Sequence, residues 1–261
     1  MKPGLLALMQ SEWERVWARK KTKVSMILFV ILLLLECVFL WMMGGISFYS
    51  AEQSVYLNSL NAAPFLLREM AIFINMIVIP MLAADSFNGE YTSGALRNVL
   101  LRPLPRWKLV TAKWVVMAVL LLIMTALMMV TGIVFGLTML PPVMSVSFLN
   151  TSTLGFAGAM GYTLMFYGTA YLVFLAVMGI SAILSTLLPN AILAYMATIG
   201  VIIGGMYFVA ELSFLFSAAD DIFKRLGGLH TGADLIVISI LCAIITFIGV
   251  QWIWNKRSYL A

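Results

Sequence analysis

Residues 24–43 read VSMILFVILLLLECVFLWMM, twenty positions in which Glu36 is the sole charge. At about 1.5 Å per helical residue this run is about 30 Å long, the thickness of a bilayer's hydrocarbon core. A carboxylate near a helix centre costs about 2.5–3.5 kcal/mol, while each Leu or Ile returns about 0.3–0.6 kcal/mol. The aliphatic block 31–35 offsets most of that, so the segment still inserts. It exceeds the ~7–15 residues of a signal-peptide core and no clear A-x-A site follows, so a retained first span is expected.

The rest of the sequence agrees with this reading. The 261 residues are 63% hydrophobic and 10% charged, against about 45–50% and about 25% in soluble domains. One soluble core of this size cannot hide so much apolar surface, which excludes an ordinary globular domain. Disorder, coiled coil and a disulfide scaffold fail on the same count. Further apolar runs at 65–84, 109–140, 156–187, 191–210 and 233–254 bring the expected spans to six, in a single transmembrane domain over 1–261. Two of them exceed a bilayer's need and must tilt or run past it. The fold class expected is an all-α integral membrane protein.

The charges set its orientation. Lys+Arg number 16, with formal net charge +5. Lys2, Arg15, Arg19, Lys20, Lys21 and Lys23 precede span one. Arg97, Arg102, Arg106, Lys108 and Lys113 follow span two, and Lys256 and Arg257 follow span six. Only Arg68, Lys224 and Arg225 lie elsewhere. That bunching follows the positive-inside rule and is not a nucleic-acid footprint. It places both termini and 85–108 in the cytoplasm of a multi-pass protein of the inner (cytoplasmic) membrane. Residues 44–64 and 211–231, the latter with His230, then face outward. Leu215, Ile222, Phe223 and Leu226 mark one side of a short helix on the outer membrane face. Cys37 and Cys242 lie in apolar runs and read as small buried hydrophobes.

Ahead of span one, Leu5, Leu6, Met9, Trp13, Val16 and Trp17 recur at helical spacing, with Glu12, Glu14, Arg15 and Arg19 on the remainder. A cytoplasmic amphipathic helix within 1–23 is expected, lying in the headgroup layer and feeding straight into span one.

Between spans two and three, residues 85–113 read DSFNGEYTSGALRNVLLRPLPRWKLVTAK. Glu90 is an acidic first-turn residue, Leu96, Val99 and Leu100 share a helical face, Arg97 lies on another side, and Pro103 ends the helix. From the residues alone this is either a docking helix beneath the membrane or an amphipathic connector that only sets topology. The order of Glu90, Gly94, Leu96, Leu100, Pro103, Arg106 and Lys113 resembles the signature of ABC-2 type transporter permeases, the six-span membrane subunits of ATP-binding-cassette exporters. Ala95 and Pro105 depart from that pattern without removing a charge.

The resemblance implies a coupling helix that inserts into a groove of a separate ATPase subunit, with Glu90, Gly94, Leu96, Arg97, Leu100, Pro103 and Arg106 as the coupling residues. It implies a dimer, homo- or heteromeric, surrounded by membrane lipid and without nucleic acid. ATP and Mg then belong to the partner subunit, and this chain binds no cofactor of its own. No G-x-x-x-x-G-K-[ST] occurs in the sequence, so no Walker-A loop is present to cradle phosphates. The expected activity is export of an amphipathic or hydrophobic substrate such as a peptide antibiotic, drug or lipid.

Other residues were weighed as sites. Glu36 and Asn75 are candidates for a substrate path, although Asn75 equally fits interhelical hydrogen bonding. Gly132 and Gly136, and the series Gly155, Gly158 and Gly161, read as close helix approach. Nineteen methionines without a Cys or His partner make no metal site, and no catalytic constellation is visible. The rival reading is an ion-coupled secondary transporter using Glu36.

Overall fold

The computed structural model describes residues 4–43, 47–49, 54–89, 105–229 and 234–256. Helix α1 (Leu5–Ala18) is followed by α2 (Lys20–Met43). A hairpin pairs β1 (Ser47–Tyr49) with β2 (Ser54–Tyr56), Ser47 opposite Tyr56. The chain then runs through α3 (Ala62–Phe73), a π-turn (Ile74–Val78) and α4 (Ile79–Phe87) as one rod. Next come α5 (Arg106–Met139), a small β3 (Ser145–Val146) and β4 (Leu154–Gly155) ribbon, α6 (Phe156–Leu187) and α7 (Ala191–Phe208). A 3₁₀ segment (Ala210–Leu215), α8 (Ala218–Leu226) and α9 (Leu235–Lys256) complete the order.

Six helices are long and apolar enough to cross a membrane: α2, the α3–α4 rod, α5, α6, α7 and α9. The protein is an all-α integral membrane protein. Where a helix outruns its apolar run, by up to four residues in α2, hydrogen bonding continues past the last apolar residue; α7 instead stops two residues short and α9 starts two residues late. Six crossings bring both chain ends to the same side. Arg15, Arg19, Lys20, Lys21, Lys23, Arg106, Lys108, Lys113 and Lys256 gather there; this is the basic end. At the far end the described cations are Arg68, Lys224 and Arg225.

Lipid inverts the usual amphipathic pattern. In α2 the buried stripe is Thr22, Ser25, Phe29, Leu33, Cys37 and Leu40, while Ile27, Ile31, Leu34 and Leu35 point outward. Close packing and hydrogen bonds, rather than greasiness, choose the inner face. α6 is the hub, packed against the α3–α4 rod, α5, α7 and α9. Its Tyr167 hydroxyl donates to the Ala63 carbonyl at 2.8 Å and Tyr171 to Ala118 at 3.1 Å, tying α6 to α3 and α5.

Gly132 and Gly136 let α5 press onto the start of the α3–α4 rod. A Cβ on Gly132 would sit 2.6 Å from Ala63 Cα, and one on Gly136 would sit 2.5 Å from the Ser59 carbonyl oxygen. Gly155, Gly158 and Gly161 do not pack this way. A Cβ at 155 or 161 meets nothing within 4 Å, and at 158 it meets only the Leu154 side chain. The π-turn comes just before Pro80, whose missing N–H and bulky ring disrupt the regular ladder; Ile79 N–H reaches back to the Ile74 carbonyl.

Two elements depart from expectation. α1 does not feed straight into α2, because Arg19 is extended (φ −73°, ψ 126°) and breaks the helix. α8 does not rest on the membrane face. Ile222 and Phe223 are buried, the Phe223 ring meets Phe166 edge-on at 4.6 Å, and the Asp220 carboxylate pairs with Arg68 at 3.3 Å. The segment caps the bundle as protein core. His230 lies outside the described residues.

Gly132→Val should push α5 off the rod, costing about 1–3 kcal/mol, whereas Gly161→Ala should hold or raise stability by up to about 1 kcal/mol. Thermal unfolding in detergent reads the difference, and equal Tm values for the two variants would refute the close-approach account.

Candidate functional site

The basic end is organised around a buried cation. α5 starts at Arg106, and Lys113 follows two turns later with its side chain only 2% exposed. Its ammonium lies 3.3 Å from Glu12 Oε2 and donates to the Ser86 carbonyl at 3.1 Å. Glu12 is itself 1% exposed, and Arg15 Nη2 approaches its other oxygen at 2.9 Å. A charge withdrawn from water this far needs such partners.

Glu12 sits on the docking face of α1, one turn from Leu8 and one from Val16, all three buried. Leu6 is 80% exposed. The face that α1 buries is therefore 8-12-16, and it lies against α5 and α2. The expected stripe began with Leu5 and Leu6 and put Glu12 on the polar remainder. Met9, Trp13, Val16 and Trp17 of that stripe do pack on the core, but Leu6 points away and Glu12 turns inward to the Lys113 ammonium.

A second regularity links this end of the molecule. The last carbonyls of any helix lack an intrahelical partner and carry the negative end of its dipole. Three membrane spans end here, and each receives a donor from the segments flanking 90–104. Lys113 serves α4 through Ser86. The Asn88 amide donates to the Ser185 and Leu188 carbonyls at the end of α6, at 3.0 and 2.7 Å. Arg106 donates to the Trp254 and Asn255 carbonyls at the end of α9, at 3.2 and 3.3 Å. Gln251 adds a bond to the Thr111 hydroxyl at 2.9 Å. Asp85 completes the frame, 3.3 Å from Arg19 and 3.4 Å from Lys21. Both flanks of 90–104 are thus fastened into the bundle.

Of the residues singled out from sequence, Glu90, Gly94, Leu96, Arg97, Leu100 and Pro103 lie outside the described residues. Arg106 and Lys113 fall within this frame. Glu36 lies far from it, in the middle of α2. It is half-buried, with Oε1 shielded from solvent and without a hydrogen-bond partner among the described residues. Asn75 is fully buried in the π-turn, and its amide donates to the Leu215 carbonyl at 2.9 Å. It fastens the 3₁₀ segment to the rod.

Near Glu36, a groove of about 610 Å³ opens between α2 and α5, walled by Leu34, Cys37, Trp41, Val130, Val134 and Phe135 among others. No group of three or more His, Cys, Asp or Glu suited to a metal occurs among the described residues. The basic end holds paired charges and capped helix ends.

Glu12, Asp85 and Asn88 carry the frame and were missed from sequence. A signal for the first existed: Lys113 is a lone cation inside an apolar run, and Glu12 lies four residues from Leu8 and from Val16. Removing Glu12 takes away the carboxylate 3.3 Å from the Lys113 ammonium, so Glu12→Leu should destabilise by about 3–5 kcal/mol. Lys113→Met should cost less, because Arg15 still answers Glu12. The double variant should recover most of the loss. A double-mutant cycle on thermal unfolding measures the coupling, and purely additive effects would contradict the buried pair.

A model of the ABC-2 family transporter protein matches residues 8–205, roughly three quarters of the 261-residue chain. No curated protein matches the sequence. The match runs from α1 through most of α7 and includes the whole frame around 90–104 except the end of α9. With its six membrane-crossing helices, the chain belongs to the ABC-2 family of transporter proteins and is a membrane-spanning permease subunit of an ABC transporter.

Proposed function

We propose that this permease is the membrane half of an ATP-driven exporter, with residues 85–108 as its coupling segment. A separate subunit hydrolyses ATP with Mg, docks against that element at Glu90, Gly94, Leu96, Arg97, Leu100, Pro103 and Arg106, and drives the spans through it. Two permease chains, identical or different, complete the pathway. The basic end and both termini lie in the cytoplasm of the inner membrane.

The observation that carries this reading is the fastening of both flanks of 90–104. A connector that only sets topology needs no buried ion pair and no three-fold capping of neighbouring helices. A coupling element does, since a push on it must reach the spans rather than bend its own attachments. Asn88, Arg106 and Lys113 distribute such a push to α1, α4, α6 and α9. The cationic bias of this end supports its cytoplasmic placement. The nearly apolar groove between α2 and α5 supports an amphipathic or hydrophobic cargo.

Glu90→Ala and Gly94→Pro should lower export by about tenfold or more, equivalent to about 1.4 kcal/mol, while the chain remains inserted and ATP hydrolysis by the partner continues. Normal export in both variants, in cells or vesicles, would overturn the coupling role.

For orientation, Arg97→Cys in a chain stripped of Cys37 and Cys242 should react with a membrane-impermeant thiol reagent only from the cytoplasmic face. In the same vesicles, transport should follow ATP and persist when the proton gradient is collapsed. Transport that stopped with the gradient would transfer the energy coupling to Glu36.

A further inference from the structure

A cleft of about 280 Å³ opens at the basic end between α2, α4 and α7. Ile77, Met81, Ala84, Ala191 and Ile192 form its apolar wall with Tyr195, and Lys21 and Asp85 stand at its basic end. Ile77 and Asp85 are eight residues apart, about 12 Å along a helix. An apolar shaft of that depth under an ionic rim matches a glycerophospholipid better than a free ion or a peptide.

The rim also has a sign. Residues 19–23 carry Arg19, Lys20, Lys21 and Lys23, and Asp85 is the carboxylate that Arg19 and Lys21 reach, at 3.3 and 3.4 Å. Lys21 is 77% exposed along its side chain, and Lys20 and Lys23 are exposed beside it. An ion pair this open is weak, so Lys21 is available to a competing anion.

We propose that this cleft binds an anionic phospholipid, with an acyl chain along Ile77, Met81 and Ile192 and the phosphate on Lys21. Basic pockets between membrane helices recognise anionic headgroups, each cation near the surface contributing about fivefold in affinity. The occupant would share Lys21 with Asp85, three residues before Asn88, and so touch the frame that holds 90–104.

The test uses the purified full chain in phosphatidylcholine vesicles doped with photo-activatable phosphatidylglycerol or with phosphatidylcholine bearing the same reactive chain. Phosphatidylglycerol should label peptides containing Ile77, Met81 and Ile192 about fivefold more than phosphatidylcholine does. Lys21→Gln should bring the two lipids to parity, and Lys21→Arg should keep the preference. Lys21 is exposed, and unchanged labelling in the α2–α5 groove confirms that the variant is folded. Parity in the unaltered chain would overturn the proposal. So would a preference that survives Lys21→Gln, since that would show only diffuse attraction to the basic segment. Labelling confined to the α2–α5 groove would overturn it as well.

Discussion

A lysine that is 2% exposed beside a glutamate that is 1% exposed fixes how the basic end is built. Neither charge is tolerable alone in that setting, because desolvation of an ion costs several kcal/mol and is offset only by close, well-satisfied partners. Lys113 therefore requires α1 to lie where Glu12 meets it. The Ser86 carbonyl requires α4 to end within the same reach. The position of α1 and the end of the α3–α4 rod are thereby linked to α5 by one ammonium. Hydrophobic burial alone would leave α1 free to slide along the bundle; a point contact between charges does not.

Away from that end, the bilayer governs packing by removing the hydrophobic incentive for helices to associate. Contacts between spans accordingly rest on close approach and on hydrogen bonds. Gly132 and Gly136 bring α5 against backbone at Ala63 and Ser59, and Tyr167 donates to the carbonyl of that same Ala63. Two spans, α5 and α6, thus converge on the start of the α3–α4 rod. Asn75 works similarly one turn beyond α3, where the π-turn before Pro80 presents its amide to Leu215.

The six spans and the clustering of cations were legible in the sequence because each rests on composition over twenty residues or more. What remained hidden depended on single partners. The apolar count of α1 favours a stripe including Leu5 and Leu6, yet one lysine 101 positions away rotates the helix toward Glu12. Arg19 looked like one more helical residue, but Asp85 lies 3.3 Å from it across the bundle, where the chain leaves helical geometry. The amphipathic pattern of α8 is the same whether its apolar side meets lipid or protein, and only Phe166 and Arg68 decide between them. Gly158 and Gly161 have the spacing of a helix-approach motif without a neighbouring helix to approach. Glycine spacing permits contact and does not create it.

The geometry of α5 ties the two ends together. At 34 residues the helix is about 51 Å long, and it is held near its base at two points. Arg106 grips the end of α9, and Lys113, about 10 Å further along, grips α1 and α4. Two fixed points on a stiff rod determine its tilt as well as its position. At the other end Gly132 and Gly136 seat the rod against Ala63 and Ser59 with no space for relaxation. A displacement entering beside Arg106 is therefore not absorbed locally, since the capping bonds and the ion pair oppose bending at the base. On the proposed coupling role it would change the tilt of α5, and the start of α3, which α5 touches at Gly132 and Gly136, would have to follow or separate. The open groove lies between α5 and α2, beside the helix whose tilt is being set. On the coupling role proposed above, the space in that groove would follow what happens at the basic end.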